Sequence, residues 1–138
     1  FGYLGADDDR AALGEMARVL QPGGLLVMDL MNPTRIRERL QPSSREERDG
    51  IILESERALQ DGGKRVTKTV RLTLASGEVR TWHEDVRMYE PDELDRLMTT
   101  VGVQPLRRAG AFDGRPFDAS TAERQIVVAR RDPEAPKR

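Results

Sequence analysis

The chain opens with a helical hydrophobic pattern that is followed by an apolar strand. Apolar residues recur at the i, i+3, i+4, i+7 spacing of an amphipathic helix, namely Leu13, Met16, Ala17 and Leu20. The acidic residues 7–9 precede this pattern and are expected to cap it, and Pro-Gly-Gly at 22–24 ends it. The apolar run 25–30 then predicts a strand covered on both faces, as in the middle of a parallel sheet. Together these elements indicate half of an α/β unit.

A short polar segment separates this strand from the next pattern. Asn32 and Pro33 end the strand, and residues 34–40 are expected to form a short helix capped by Thr34. Residues 41–50 are polar and include proline and serine. A surface loop is therefore expected there.

Between residues 51 and 89 the hydrophobic pattern changes to a period of two. Apolar residues mostly alternate with arginines and threonines in 65–74, and Lys68 is the one polar interruption. The turn sequences Asp-Gly-Gly at 61–63 and Ser-Gly at 76–77 divide this segment. We expect a three-stranded antiparallel sheet with one covered face and one exposed face.

A second amphipathic helix follows this sheet. It begins at Pro91, ends before Gly102, and carries four apolar residues at helical spacing: Leu94, Leu97, Met98 and Val101. Residues 103–109 predict a strand. Because Pro105 has no backbone N–H to donate, this strand is expected at a sheet edge.

The C-terminal part of the chain predicts one more strand and a tail. Residues 125–129 are almost entirely apolar and predict a short, buried strand. Phe112 and Phe117, in the preceding loop, are expected to close the core. Residues 132–138 are polar and proline-rich, so we expect a disordered tail.

Composition limits the classes of function. A chain of 138 residues has room for one domain with a single modest core. Cysteine is absent, which excludes disulfides and thiolate chemistry, and His83 is the only histidine. A multi-histidine metal centre is therefore excluded, and no metal site is expected.

Charge and hydropathy indicate a cytoplasmic protein without nucleic-acid or membrane partners. Lysine and arginine total 23 and aspartate and glutamate total 24, interleaved along the chain. A nucleic-acid binder usually shows a basic excess on one face, so that class is unfavoured. No apolar run approaches the roughly 20 residues of a membrane span. The chain starts at Phe1 and not at methionine, so the absence of a leader carries little weight.

The order of these elements resembles class I S-adenosylmethionine-dependent methyltransferases of the small-molecule type. Five stretches carry the resemblance: residues 1–4, 17–30 (the most specific, ARVLQPGGLLVMDL), 86–102, 111–117 and 124–130. The resemblance implies the C-terminal half of a Rossmann-like, seven-stranded α/β sheet. The strand at 25–30 would be its fifth strand, and the strand at 125–129 its antiparallel seventh, lying between the fifth and the edge strand at 103–109. Residues 51–89 would be an inserted lid.

One departure from the family is large. The family holds S-adenosylmethionine with a glycine-rich turn after its first strand and an acidic residue after its second. None of the 12 glycines in this chain forms a G-x-G-x-x-G pattern. The resemblance implies that the main cofactor site precedes Phe1 and that the chain is inactive alone. It also leaves the flank of 25–30 as an open apolar edge, through which self-association is expected.

The candidate cofactor-binding residues lie at the start of the chain. The resemblance puts Phe1, Gly2 and Tyr3 just beyond the fourth strand, at the sheet end where ligands bind in open α/β sheets. Both aromatic residues are equally compatible with ordinary packing. Asn32 lies at the end of the predicted fifth strand, on the same ligand side, where a turn function competes with acceptor binding.

Further candidate acceptor contacts come from the inserted sheet. His83, Arg87 and Tyr89 share one strand face by period two and could roof an acceptor pocket, with His83 or Tyr89 as proton acceptor. A solvated sheet face is the alternative, and base rates favour it for His83. No catalytic residue is assigned, since methyl transfer needs mainly alignment of the acceptor with the sulfonium carbon.

Two functions follow from this reading. The resemblance implies methyl transfer from S-adenosylmethionine to a small-molecule acceptor. The alternative, from a different class, is a non-enzymatic half-domain that pairs with another chain through its open sheet. The sequence upstream of Phe1 would discriminate between them, since only the enzyme requires a glycine-rich turn there.

Overall fold

The computed structural model describes residues 1–134, which fold into three helices, seven strands and one 3-10 turn. In chain order the helices and strands are α1 Ala6–Val19, β1 Leu25–Met31, α2 Pro33–Arg39, β2 Ser43–Arg48, β3 Ile51–Gln60, β4 Arg65–Thr73, β5 Val79–Arg87, α3 Pro91–Thr100, β6 Val103–Ala109 and β7 Arg124–Arg131. The 3-10 turn Asp61–Gly63 connects β3 to β4. The strands form two separate antiparallel sheets.

The first of these, the main sheet, contains three strands in the order β1-β7-β6. Leu25 of β1 lies opposite Arg130 of β7, and Met31 lies opposite Arg124. The predicted neighbours, with the strand at 103–109 outermost, are therefore confirmed. The register between β6 and β7 shifts between Pro105 and Arg107, as expected where a proline cannot donate to the ladder.

Helices α1 and α3 cover one face of the main sheet. Their apolar stripes pack on the same cluster of strand residues, and its large side chains with no exposed surface are Leu13, Leu94, Met98, Val103 and Val127. Burying each such side chain contributes about 1.5–3 kcal/mol. This cluster is the principal core, and both predicted helices are confirmed.

The opposite face of β1 is exposed. Leu25 and Val27 keep 53% and 62% of their surface accessible, while Met28 faces the core. Both pairings of the main sheet are antiparallel, and β7 is the one hydrogen-bonded neighbour of β1 among residues 1–134. The expectation of a strand covered on both faces within a parallel sheet is therefore wrong for this part of the chain.

Two helix caps differ from the prediction. Gly5 is the N-cap of α1, without a side-chain cap, and the acidic residues 7–9 lie in the first turn, where they favour the helix dipole. Asn32, not Thr34, caps α2, because its side chain accepts a hydrogen bond from the Thr34 N–H. Pro33 then occupies the first helical turn, where its missing N–H costs nothing.

The second sheet has four strands in the order β2-β3-β4-β5. Its last three strands and the turns at 61–63 and 76–77 follow the prediction. The expected loop at 41–50 is wrong, because it contains strand β2, so the three-stranded sheet is corrected to four strands. Asp49 and Gly50, both with positive φ (53° and 75°), form the two-residue hairpin that joins β2 to β3.

Two expectations about the C-terminal region also need correction. Asp132 donates its N–H to the Gly102 carbonyl at 2.9 Å, and the Glu134 N–H reaches the Asp132 carboxylate at 2.9 Å, so residues 132–134 are ordered. The rest of the expected tail, 135–138, lies outside the described residues. Phe112 does not close the core, since it is 80% exposed.

Helices that could cross a bilayer are absent from residues 1–134, where none is both long enough and apolar enough.

Candidate functional site

A cavity of about 510 Å³ lies between β1, α2 and one face of the second sheet. We call that face of the second sheet the inner face. Its strands bring Val66 and Val86 together as cross-strand partners, and these pack with Met88 against Ile36 of α2. The cavity therefore has an apolar floor formed by two elements that are distant in sequence.

An aromatic corner closes one end of the cavity. The rings of Phe1 and Tyr89 lie 5.1 Å apart, tilted by 38°. The guanidinium of Arg87 lies 5.1 Å from the centre of the Tyr89 ring. Arg87 is held by an ion pair of 2.5 Å with Glu93 in the first turn of α3. The corner thus joins the start of the chain, the end of β5 and the start of α3.

Asp9 ties the aromatic corner to helix α1. Its Oδ1 accepts the Gly2 N–H at 3.0 Å and its Oδ2 accepts the Tyr89 hydroxyl at 2.7 Å. Asp9 is fully buried, and these two hydrogen bonds offset the cost of burying a carboxylate. Sequence analysis missed this residue, although its spacing from Leu13 and Ala17 puts a carboxylate on the buried face of the helix.

Gly2 permits a close backbone approach at this corner. Its carbonyl accepts the Arg87 N–H at 2.7 Å, and its φ is +90°. A Cβ atom at Gly2 would lie 2.5 Å from the Arg87 carbonyl oxygen, which no real side chain tolerates. Glycine is therefore required here by both the dihedral angle and the contact.

Burial and the neighbouring carboxylate fix the charge states of the corner. The pKa of Tyr89 is raised well above its ordinary value, first by burial and then by the hydrogen bond to Asp9. The pKa of Arg87 is raised chiefly by its hydrogen bond to Glu93. Tyr89 is thus a neutral hydrogen-bond donor and Arg87 a permanent cation, so neither is suited to accept a proton at neutral pH.

The structure brings four of the seven candidate site residues to the cavity wall: Phe1, Tyr3, Arg87 and Tyr89. Gly2 contributes through its backbone, as described above. His83 does not face the cavity; it is exposed on the outer face of the second sheet, where its Nδ1 lies 2.9 Å from the Thr69 hydroxyl. The side of β5 that roofs the cavity carries Glu84 and Val86, which corrects the expected roof.

Asn32 lies outside the cavity wall and is fully engaged in the fold. Its Nδ2 donates to the carbonyls of Ala119 and Ala122 at 2.9 and 2.7 Å, and its Oδ1 accepts the Thr34 N–H at 3.2 Å. The residue is 1% exposed. These contacts leave it no donor for an acceptor molecule, so it anchors the loop before β7 to α2.

Further charged residues line the cavity wall beside the seven candidates. Asp29 of β1 lies diagonally across from Arg124 of β7 and forms an ion pair of 2.5 Å with it. Lys68 and Glu84 are adjacent on β4 and β5. The sequence did carry a signal for Lys68, because it is the one polar residue at a position where the period-two pattern of 65–74 calls for an apolar residue.

A second groove, of about 890 Å³, lies between α1 and the end of α3. Arg131, 4% exposed, lines it and donates to the carbonyls of Arg18 and Leu20, which satisfies the end of α1. This groove has no aromatic lining residue. Metal-binding clusters of three or more histidine, cysteine, aspartate or glutamate side chains are also absent from residues 1–134.

The fold matches solved methyltransferase structures. CcbJ methyltransferase from Streptomyces caelestis aligns with a TM-score of 0.78 at 23% identity, covering 96% of this chain and 53% of that one. An S-adenosylmethionine-dependent methyltransferase from Clostridium acetobutylicum aligns with a TM-score of 0.84 at 13% identity, covering 95% and 54%.

A third match was solved with the cofactor. CalS10, an amino pentose methyltransferase from Micromonospora echinaspora with S-adenosylmethionine bound, aligns with a TM-score of 0.58 at 21% identity, covering 94% and 53%. The chain therefore spans about half the length of the solved structures it matches. Neither a family model nor a curated protein sequence matches it. Across nearly all of its length, this chain has the fold of class I S-adenosylmethionine-dependent methyltransferases.

Proposed function

We propose that this chain supplies the acceptor-binding side of an S-adenosylmethionine-dependent methyltransferase that acts on small molecules in the cytoplasm. In this proposal it is the C-terminal half of a seven-stranded domain, and the second sheet is the lid over the acceptor. The observation that carries the proposal is the cavity between β1 and the inner face of the second sheet, in a fold shared with methyltransferases. Its volume lies within the usual range for small-molecule sites.

The proposed cofactor contacts are Phe1, Gly2 and Tyr3. S-adenosylmethionine supplies an electrophilic methyl group on a sulfonium. The structure fits the carboxylate of that ligand in one respect: the Nε–H of Arg87 is buried at the same corner and has no partner among the described residues. Phe1, half-buried against Tyr89, adds an aromatic surface. These residues offer one wall of a cofactor site, and the glycine-rich turn of the family is not among the 138 residues.

The proposed acceptor contacts are Arg87 and Tyr89. Because Tyr89 is neutral and Arg87 is cationic, their part is to position the acceptor and exclude water, not to remove its proton. Asn32 and His83 have no part in this site, since their side chains point elsewhere. An acceptor the size of an amino pentose, the substrate class named for CalS10, is small enough for the cavity.

The proposal is tested by following backbone amide NMR signals while S-adenosylhomocysteine is added, since the method detects weak binding. We expect saturable shifts at Gly2, Tyr3 and Tyr89, and none at Gly102 in the second groove. Binding should be far weaker than in a complete methyltransferase. Shifts confined to the second groove, or none at millimolar ligand, would contradict the proposed cofactor contacts.

A pair of alanine variants separates the site from general effects. Gly2→Ala should abolish the shifts at the aromatic corner, because the new Cβ would collide with the Arg87 carbonyl. Gly5→Ala is the matched control, since a Cβ at Gly5 meets nothing within 4 Å and its φ is −78°. Equal loss of the shifts in both variants would remove the support for Gly2.

The rival function, a partner module without activity of its own, is favoured by one observation. Strand β1 has an unpaired edge among the described residues and carries the exposed side chains of Leu25 and Val27. Such an edge is suited to pairing with a further strand. Partner binding without any shift from S-adenosylhomocysteine would favour this rival.

A further inference from the structure

Three charged residues form a row across the inner face of the second sheet. Arg57 of β3 lies opposite Lys68 of β4, and Lys68 lies opposite Glu84 of β5. All three line the cavity. Side chains at directly opposed positions of a sheet lie on the same face, so these three charges stand side by side over the cavity.

The row crosses an otherwise apolar surface. On β4 the neighbours of Lys68 on the same face are Val66 and Val70, with 9% and 1% of their surface exposed. Val86, next to Glu84 on that face, is 8% exposed. Lys68 itself is half-buried. An ammonium in such surroundings is costly unless it has a counter-charge or remains hydrated.

The charges of the inner row form no ion pair. Within residues 1–134, neither Lys68 nor Glu84 makes a side-chain hydrogen bond or an ion pair, although the two are cross-strand partners. Arg57 donates one hydrogen bond, to the neutral hydroxyl of Ser44 at 3.2 Å. Most of its five N–H donors therefore remain available to a ligand.

Two cations on the outer face of the same sheet behave differently. Arg65 pairs with Asp85 at 2.8 Å, and Arg45 pairs with Glu47 at 2.9 Å. These two are matched within the sheet, although they face solvent, where pairing gains little. Arg71, also on the outer face, has no ion pair among the described residues but is exposed to water. Lys68 and Arg57 are half-buried beside the cavity without an ion pair, which is the arrangement expected of a ligand site.

We infer that the methyl acceptor carries an anionic group, a carboxylate or a phosphate, which binds Lys68 and Arg57. The inference rests on the proposed function, because it treats the cavity as the acceptor site. Two cations and one carboxylate give the row a net positive charge, and arginine and lysine bind such oxyanions through charge-assisted hydrogen bonds. Glu84 repels the anion and so directs it toward β3, which leaves the rest of the acceptor to extend toward Tyr89.

The test is an NMR titration of the ¹⁵N-labelled chain with sodium acetate, with inorganic phosphate and, as a cationic control, with methylammonium chloride. Ionic strength is held constant. We expect saturable shifts at the amides of Arg57, Lys68 and Glu84 with at least one anion and none with methylammonium. Saturation by acetate alone identifies a carboxylate, and saturation by phosphate alone identifies a phosphate. Absence of saturation with both anions overturns the inference.

Four variants make the test specific. Lys68→Met should weaken anion binding roughly tenfold, as expected for a charge-assisted hydrogen bond. Lys68→Arg should retain it, which keeps the test valid if the methionine variant unfolds. Glu84→Gln should strengthen it, and weakening would refute the directing function of Glu84. Arg71→Met is the matched control, because Arg71 is an exposed cation on the outer face of the same strand. Equal losses in Lys68→Met and Arg71→Met would show that only overall charge matters.

The outcome is separable from that of the proposed function, because binding of a small anion requires no cofactor. Anion binding at the row without any effect of S-adenosylhomocysteine at the aromatic corner would support the row as an anion site and overturn the proposed cofactor contacts at residues 1–3. Cofactor binding at the corner with no anion binding at the row would support the proposed cofactor contacts and overturn the anion site.

Discussion

Tyr89 donates a buried hydrogen bond of 2.7 Å to Oδ2 of Asp9, 80 positions earlier in the chain. The same carboxylate accepts the Gly2 N–H at 3.0 Å, so one side chain joins helix α1, the start of the chain and the end of the second sheet. The bond therefore sets the position of the aromatic corner relative to the main core.

Removing this bond should destabilise the fold. In Tyr89→Phe the Asp9 carboxylate stays buried with the Gly2 N–H as its one remaining partner, and the loss of a hydrogen bond to a charged group costs about 1.5–3 kcal/mol. Urea unfolding would measure this as a lower free energy of unfolding. Tyr3→Phe is the control, since Tyr3 is 58% exposed and should change the stability by less than about 0.5 kcal/mol. Equal effects of the two substitutions would contradict the importance of the Asp9 bond.

The contribution of Tyr89 to stability should fall at alkaline pH. Burial and the hydrogen bond to Asp9 raise its pKa above the ordinary value of 10.0. Above about pH 10 the unfolded chain loses the phenol proton while the folded chain keeps it, so the unfolded state is favoured progressively. Above about pH 10, the difference in free energy of unfolding between the native chain and Tyr89→Phe should therefore decrease by up to about 1.4 kcal/mol per pH unit. If urea unfolding shows the same difference in free energy of unfolding from about pH 8 to pH 11, the raised pKa of Tyr89 is contradicted.

Asn32 should matter for stability and not for ligand binding. Asn32→Ala removes two hydrogen bonds to carbonyls and the cap of α2, so we expect a loss of about 2–4 kcal/mol. Asn32→Asp keeps the cap acceptor but turns an oxygen toward the carbonyls of Ala119 and Ala122, and should be at least as unstable. Thermal and urea unfolding measure both. A native-like aspartate variant would show that the two carbonyl contacts contribute little.

The regular elements could be predicted because their hydrophobic periods are local. Helices α1 and α3 carry apolar residues at 3.6-residue spacing, and β4 alternates with a period of two. Strand β2 escaped prediction because an edge strand exposes both faces and is polar on both, as is typical of protected sheet edges. The Asp-Gly pair at 49–50 was the available signal, since that dipeptide favours a two-residue hairpin.

The candidate site was only partly predictable because it depends on which sheet face meets the rest of the chain. Periodicity puts His83 and Glu84 on opposite faces but does not say which face is inner. The apolar partners on β4 decide this, since Val66 and Val70 share the side of Glu84. Asp9 illustrates a second limit, because one of its two partners, Tyr89, lies 80 positions away in the sequence.

The open edge of β1 should cause self-association. Val27 is 62% exposed on a strand whose one neighbour among residues 1–134 is β7, so two copies can pair their edges and cover apolar side chains in the same step. Size-exclusion chromatography with light scattering should show a mean mass that rises with concentration.

Val27→Lys should keep the chain monomeric, because a lysine on an edge strand opposes pairing by its charge and its hydration. Leu106→Lys is the matched control: Leu106 is 52% exposed and lies on β6, at the other edge of the same sheet, where the irregularity at Pro105 already discourages a regular ladder. If Leu106→Lys prevents association as well as Val27→Lys does, general surface charge and not the edge of β1 is responsible. If the native chain stays monomeric at all concentrations, the exposed edge and face of β1 do not cause self-association by themselves.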